Sequence, residues 1–106
     1  MVARGEIWLV ALDPTAGSEI RKTHPCVVVS PPEIHDHLRT AIVAPMTTKS
    51  HPAPFRVAVT HAGRRGLILL DQVRAVDKVR LVQRLGSVSA NTLRQTLTTL
   101  REVFAD

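Results

Sequence analysis

Two short stretches of this chain concentrate the side chains that could do chemistry. "EIRKTH" carries Glu19, Arg21, Lys22, Thr23 and His24 directly before Pro25, and "TTKS" carries Thr47, Thr48, Lys49 and Ser50 after an apolar run. A carboxylate can accept a proton, a histidine or arginine can serve as acid or electrostatic stabiliser, and hydroxyls with a lysine can hold a phosphate. That set is sufficient to cleave an RNA phosphodiester without a metal, because the ribose 2′-hydroxyl is a nucleophile already beside the phosphate. Each stretch also reads, by itself, as an ordinary hydrophilic connection.

Other polar candidates are weaker. Cys26 lies in "PCVVVS", between proline and three valines, and reads as a buried, inert thiol, because a reactive one needs an electropositive pocket. A lone cysteine makes neither a disulfide framework nor a zinc motif. His35 and His37 flank Asp36, but H-x-H supplies two ligands with no third partner nearby, so they read as surface histidines on a helical turn. "AGRRG" (62–66) has the glycines of a hairpin turn and two arginines, a turn first and a phosphate contact second.

The elements that must position these groups are short and mostly extended. With 106 residues the chain makes one domain, 1–106, and 44% apolar content suffices for a core that must be aliphatic, given two Phe, one Trp and no Tyr. "GEIWLVAL" (5–12) places Ile7, Leu9 and Ala11 on one face and Trp8, Val10 and Leu12 on the other, so both faces predict cover. "CVVVS" (26–30) reads as a central strand started by Pro25 and stopped by Pro31-Pro32. A one-turn helix through "PPEIHDHL" follows, with Ser30 as its cap. Segments 40–47, 55–60, 66–71, 73–76 and 80–88 give further strands, the pair 66–71 and 73–76 nearly continuous. Leu93, Leu97, Leu100 and Phe104 recur with a helical period after Ser89, a fitting N-cap, and define one amphipathic helix. The sum is an α+β domain: a small, partly closed β-barrel or strongly curved sheet with a C-terminal helix packed on it.

Fourteen Lys and Arg against nine Asp and Glu give a net charge of +5 and a sequence pI of about 10.7. A polyanion such as nucleic acid fits that balance, as does a merely soluble basic surface. The N-terminal apolar run has no small-residue cleavage site and no span near twenty residues, so it predicts neither signal peptide nor membrane helix, and a cytoplasmic location is expected.

Over its full length the sequence also resembles the MazF/PemK toxins of bacterial toxin-antitoxin modules. "RGEIWLVALDPTAGSE", "PCVVVSP", "APMTTKS" followed by "PFRV", "LLDQVRAVD" and a helix after "GSVS" occur in family order and spacing. The resemblance implies a homodimer of SH3-like barrels with CcdB/PemK topology, acting as a sequence-specific, metal-independent endoribonuclease. The expected products are a 2′,3′-cyclic phosphate and a 5′-hydroxyl. It also implies growth inhibition by cutting mRNA, and neutralisation by an antitoxin whose disordered tail folds across the RNA groove. No cofactor is expected.

Carried over by position, the family's loop glutamate falls on Glu19 as base, its strand-end threonine on Thr47, and the aspartate some members use near the site on Asp71. Arg21, Lys22, Thr48, Lys49 and Arg74 are the expected RNA-backbone contacts. The family's arginine before the loop proline falls on His24, where a proton that can leave near neutral pH replaces a permanent planar cation. Three consequences are open at this point: His24 acts as acid with Arg21 or Lys22 supplying fixed charge, activity is impaired, or the acid lies elsewhere. A non-catalytic module that only docks an antitoxin or a protein target, as CcdB docks gyrase, is the alternative from another class.

Overall fold

The computed structural model describes residues 1–12 and 22–106, so Glu19 and Arg21 lie outside the described residues. Seven strands form one antiparallel sheet: β1 (Glu6–Leu12), β2 (Lys22–Val28), β3 (Thr40–Thr47), β4 (Arg56–His61), β5 (Arg64–Leu69), β6 (Arg74–Asp77) and β7 (Leu81–Ser87). Their order is β4-β5-β3-β2-β1-β7, with β6 beside β3. A short helix α1 (Pro32–His35) links β2 to β3, and α2 (Ala90–Val103) closes the chain. No helix among the described residues is long and apolar enough to cross a membrane.

Both faces of the sheet bury apolar side chains, as the apolar runs 7–12 in β1 and 25–29 through the end of β2 require. Ile7, Val27, Val29, Ala44, Met46, Val57 and Ile68 form one cluster, with Leu100 of α2 packed against it. Val10, Leu12, Cys26, Val28, Val43 and Val76 form the other, flanked by Trp8 and Leu81. One edge of β3 is divided between two partners, β5 at Met46 and Thr47 and β6 from Thr40 to Val43. The 3-10 turn Leu70–Gln72 makes this possible by carrying the chain from one half of that edge to the other. It also separates two strands that the sequence reads as nearly continuous. The free edges of the curled sheet, β4 and β7, approach one another: a Cβ added at Gly86 in β7 would stand 3.5 Å from the ring of His61 at the end of β4.

Four local expectations are corrected. Pro25 does not start β2, which begins at Lys22 and pairs Lys22–Val27 with β1, leaving His24 inside a strand opposite Val10. Ser30 does not cap α1, whose N-cap is Pro31; its hydroxyl is buried, accepts the Ile42 N–H at 3.1 Å and lies 2.9 Å from His35 Nδ1. His35 is accordingly not a surface residue: it is 1% exposed, while His37 is exposed as expected. In α2, Ser89 caps the helix through the Thr92 N–H, yet Phe104 lies past the last turn and is exposed. The fully buried position of α2 is Thr96, whose hydroxyl donates back to the Thr92 carbonyl and so enters the core with its polarity satisfied.

Candidate functional site

The register between β2 and β3 explains how the two polar stretches meet. The last pair is Cys26 with Pro45, and continuing one step sets Pro25 opposite Met46 and a second step sets His24 opposite Thr47. A proline has no N–H to give, so the Met46 carbonyl receives nothing from the β2 backbone at this point. The imidazole of His24 takes that place, with Nε2 2.5 Å from the Met46 oxygen. Because a carbonyl only accepts, Nε2 carries the proton in this contact, and Nδ1 is the nitrogen left for other work. Pairing stops there and the strand ends part.

Between them lies a groove of about 310 Å³, lined by His24, Thr47, Thr48, Lys49, His61 and Arg64 among others. Thr47 is half-buried at the end of β3, while Thr48 and Lys49 are exposed. The Lys49 N–H donates to Thr47 Oγ1 at 3.1 Å, which fixes the hydroxyl and leaves its own proton free to donate. A neighbouring cavity of about 610 Å³ shares Thr47 and Thr48 and runs along the seam between β4 and the start of α2, past Thr60, Arg65 and Ser89. One residue lets the Thr47–Thr48 backbone lie so close to β5: a Cβ on Gly66 would stand 2.6 Å from the Thr47 carbonyl oxygen.

His24, Thr47, Thr48 and Lys49 are thus brought together. Lys22 is exposed on β2, two residues before His24. Asp71 and Arg74 line neither cavity. The carboxylate of Asp71 is engaged by Arg56 in a two-pronged ion pair at 2.9 and 3.1 Å, and that guanidinium holds it below the usual carboxylate range. Arg74 pairs with Val43 on the far half of β3, where its charge works against the burial that pushes the Cys26 thiol up to about 12. Cys26 is fully buried, in agreement with the inert-thiol reading.

His61 escaped the sequence reading, and Arg64 entered it as a turn residue first and a phosphate contact second. The signal was present in "HAGRRG": a two-residue turn at Ala62-Gly63 makes His61 and Arg64 the last cross-strand pair of β4 and β5. Ala62 and Gly63 have φ of 51° and 75°, the values of a primed hairpin turn, so both arginines belong to β5 and not to the turn.

Compared with known proteins, residues 3–104 match the model of the PemK-like, MazF-like toxins of type II toxin-antitoxin systems. The chain belongs to that family. The PemK/MazF-like chain is 37% identical to the endoribonuclease PemK of Escherichia coli over 107 residues, 95% of this chain and 80% of that protein. Its fold matches the crystal structure of MazF from Deinococcus radiodurans with a TM-score of 0.83 and 25% identity, covering 96% of this chain and 94% of the other. An endoribonuclease in complex with its cognate antitoxin from a mycobacterial species has the same fold, with a TM-score of 0.79 at 22% identity over 96% and 93% of the two chains. The curled antiparallel sheet with a C-terminal helix is the architecture of these toxins.

Proposed function

We propose that this chain is the toxin of a toxin-antitoxin pair and cuts single-stranded RNA by attack of the ribose 2′-hydroxyl on the adjacent phosphate, with no metal required. The bond from O2′ to phosphorus forms, the bond to the 5′-oxygen breaks, and the products are a 2′,3′-cyclic phosphate and a 5′-hydroxyl. Glu19 takes the 2′-hydroxyl proton, His24 stands at the acid or phosphate-stabilising position, and Thr47 donates to a phosphate oxygen. Arg21, Lys22, Thr48 and Lys49 hold the RNA backbone, with Asp71 and Arg74 as outer contacts. The chain acts as a single domain, pairs with a second copy, cuts mRNA in the cytoplasm, and is silenced by an antitoxin whose acidic, disordered tail competes with RNA for the groove.

One observation carries this reading. A hydroxyl already oriented by the Lys49 amide, an imidazole and a lysine converge on one groove from two strands whose pairing has just ended. The endoribonucleases among its relatives supply the reaction class.

The test is cleavage of a long single-stranded RNA in EDTA by the parent and by Glu19→Ala, Thr47→Ala and His24→Arg. The parent is expected to cut in chelator and leave cyclic phosphate ends, with losses of roughly 10²-fold or more for Glu19→Ala. Cleavage that disappears in EDTA would sink the metal-free mechanism. Should no variant cut RNA while all still bind the antitoxin, the chain is a docking module.

A further inference from the structure

We propose that His61, the last residue of β4, is a second catalytic imidazole in this groove: it protonates the leaving 5′-oxygen, with Arg64 beside it as a phosphate contact. The inference rests on the reading that the chain cleaves RNA, and it names the acid that reading leaves open.

The two imidazoles of the groove are not equivalent. Nε2 of His24 is spent on the Met46 carbonyl, where it replaces a donor that Pro25 cannot supply. Its ring is therefore a fixed part of the β2–β3 junction, with only Nδ1 left to face a substrate. Among the described residues no hydrogen bond engages the ring nitrogens of His61. Its proton can be given to a substrate and regained without breaking any contact among the described residues.

Position supports the same division. In-line displacement at phosphorus sets the attacking and leaving oxygens on opposite sides of the phosphate, so base and acid must approach from different walls. His24 lines the groove from β2. His61 and Arg64 line the same groove from the β4–β5 hairpin, which is a separate wall. The groove of about 310 Å³ is lined by Thr47 and Lys49 and by the hairpin residues His61 and Arg64 together, so a phosphodiester bound in it faces both. The hairpin is a stable platform: β4 and β5 pair along their whole length from Arg56–Leu69 to His61–Arg64. Arg64 adds a permanent cation whose planar fork suits phosphate oxygens.

In the proposed step the 2′-hydroxyl proton goes to Glu19, O2′ bonds to phosphorus, the bond to the 5′-oxygen breaks, and the 5′-oxygen receives the proton of His61. No oxidant, metal or water is consumed.

The test compares two RNAs of the same sequence, one with the normal 5′-oxygen at the cut site and one with sulfur bridging that position. A thiolate leaves without being protonated, so loss of the acid does not slow the sulfur substrate. His61→Gln keeps the size and polarity of the ring site but cannot transfer a proton; it is expected to lower kcat roughly 10²- to 10³-fold on oxygen and less than about tenfold on sulfur, with KM little changed. Arg64→Ala is expected to raise KM on both. Equal losses on the two substrates, or no loss on the oxygen substrate, overturn the assignment of His61 while leaving the ribonuclease reading in place. An unchanged KM for Arg64→Ala overturns its contact. A parent chain that cuts neither RNA defeats the ribonuclease reading and this inference with it. Thermal midpoints of the variants within a few degrees of the parent exclude misfolding as the cause.

Discussion

Gly66 is the position at which the geometry of the groove is most exposed to a small change. Adding one methyl, Gly66→Ala, sets a Cβ 2.6 Å from the Thr47 carbonyl oxygen, 3.2 Å from its carbon and 3.6 Å from Thr48 Cα. All three are backbone atoms, so no rotamer change relieves the overlap. A carbon and a carbonyl oxygen sit comfortably at about 3.3 Å, so the Thr47–Thr48 backbone must retreat by roughly 0.7 Å. Overpacking of this kind costs about 1–3 kcal/mol, offset by ~0.4–1 kcal/mol because alanine restricts the unfolded chain more than glycine does. The net is about 0–2.6 kcal/mol, so at ~4–8 °C per kcal/mol for a domain of this size Tm falls by up to roughly 20 °C.

The functional effect is expected to exceed the stability effect, because a misplacement near 1 Å can lower turnover about 10²-fold. A loss of about 10- to 10²-fold in kcat/KM on single-stranded RNA is therefore predicted. Hydrogen exchange gives a readout that does not depend on activity: the Lys49 amide, which now donates to Thr47 Oγ1, should exchange faster in the variant. Full activity with unchanged Lys49 protection would refute the claim that Gly66 seats the Thr47–Thr48 wall, even if Tm drops.

Further expectations concern the frame around the groove. Glu6 accepts the Ala3 N–H at 2.7 Å, the Trp8 indole at 3.1 Å and Arg84 at 2.7 Å; burial works to raise its pKa, but these three donors hold it below the ordinary value. Its stabilisation is therefore present above the unfolded-state pKa of about 4.3 and is lost as pH falls through the lower folded value; Glu6→Gln should cost ~1–3 kcal/mol at pH 7 and progressively less as pH falls below about 4, as read by denaturant titration. With its thiol pushed from 9.0 to about 12, Cys26 holds about a thousandfold less thiolate near neutral pH, so iodoacetamide should label it only after denaturation. Labelling of the native chain at the rate of free cysteine would contradict the burial. Ala62 holds a left-handed φ of 51° before Gly63, a conformation that asparagine tolerates better; Ala62→Asn should stabilise by ~0.5–1 kcal/mol and raise Tm by a few degrees at fixed protein concentration, and a lower Tm would show that the turn tolerates only a small side chain.

The strands were legible because their signal is local: β-branched and apolar runs between turn formers, with a change to helical period after Ser89. The misread positions are those where a distant partner decides. Pro25 reads as a strand start only if β2 needs its N–H; it does not, since a histidine side chain makes the bond that the backbone cannot. His35 reads as exposed until Ser30, five residues earlier, is seen to hold it in the interior. The Asp71 carboxylate is paired with Arg56, fifteen positions away, a contact that no local signal announces. His61 and Arg64 join His24 and Thr47 only because the sheet curls, and no sequence spacing records that.

His24 is the residue at which local structure and chemistry must be weighed together. The resemblance to the family leads to arginine at this position, and charge alone would make the exchange a loss. The junction of β2 and β3 gives a different measure. What the fold requires there is a donor for the Met46 carbonyl, and imidazole and guanidinium both provide one. The substitution therefore preserves the strand junction and removes a fixed charge from one wall, while Arg64 and Lys49 keep fixed or nearly fixed charge on the others. On this account His24→Arg should fold as well as the parent and bind RNA more tightly at low salt. His24→Ala should lose both the contact and roughly 1–3 kcal/mol, because a partly buried carbonyl is left without a donor. A His24→Ala chain as stable as the parent would mean that water serves the Met46 oxygen equally well, and the structural half of the account would fall.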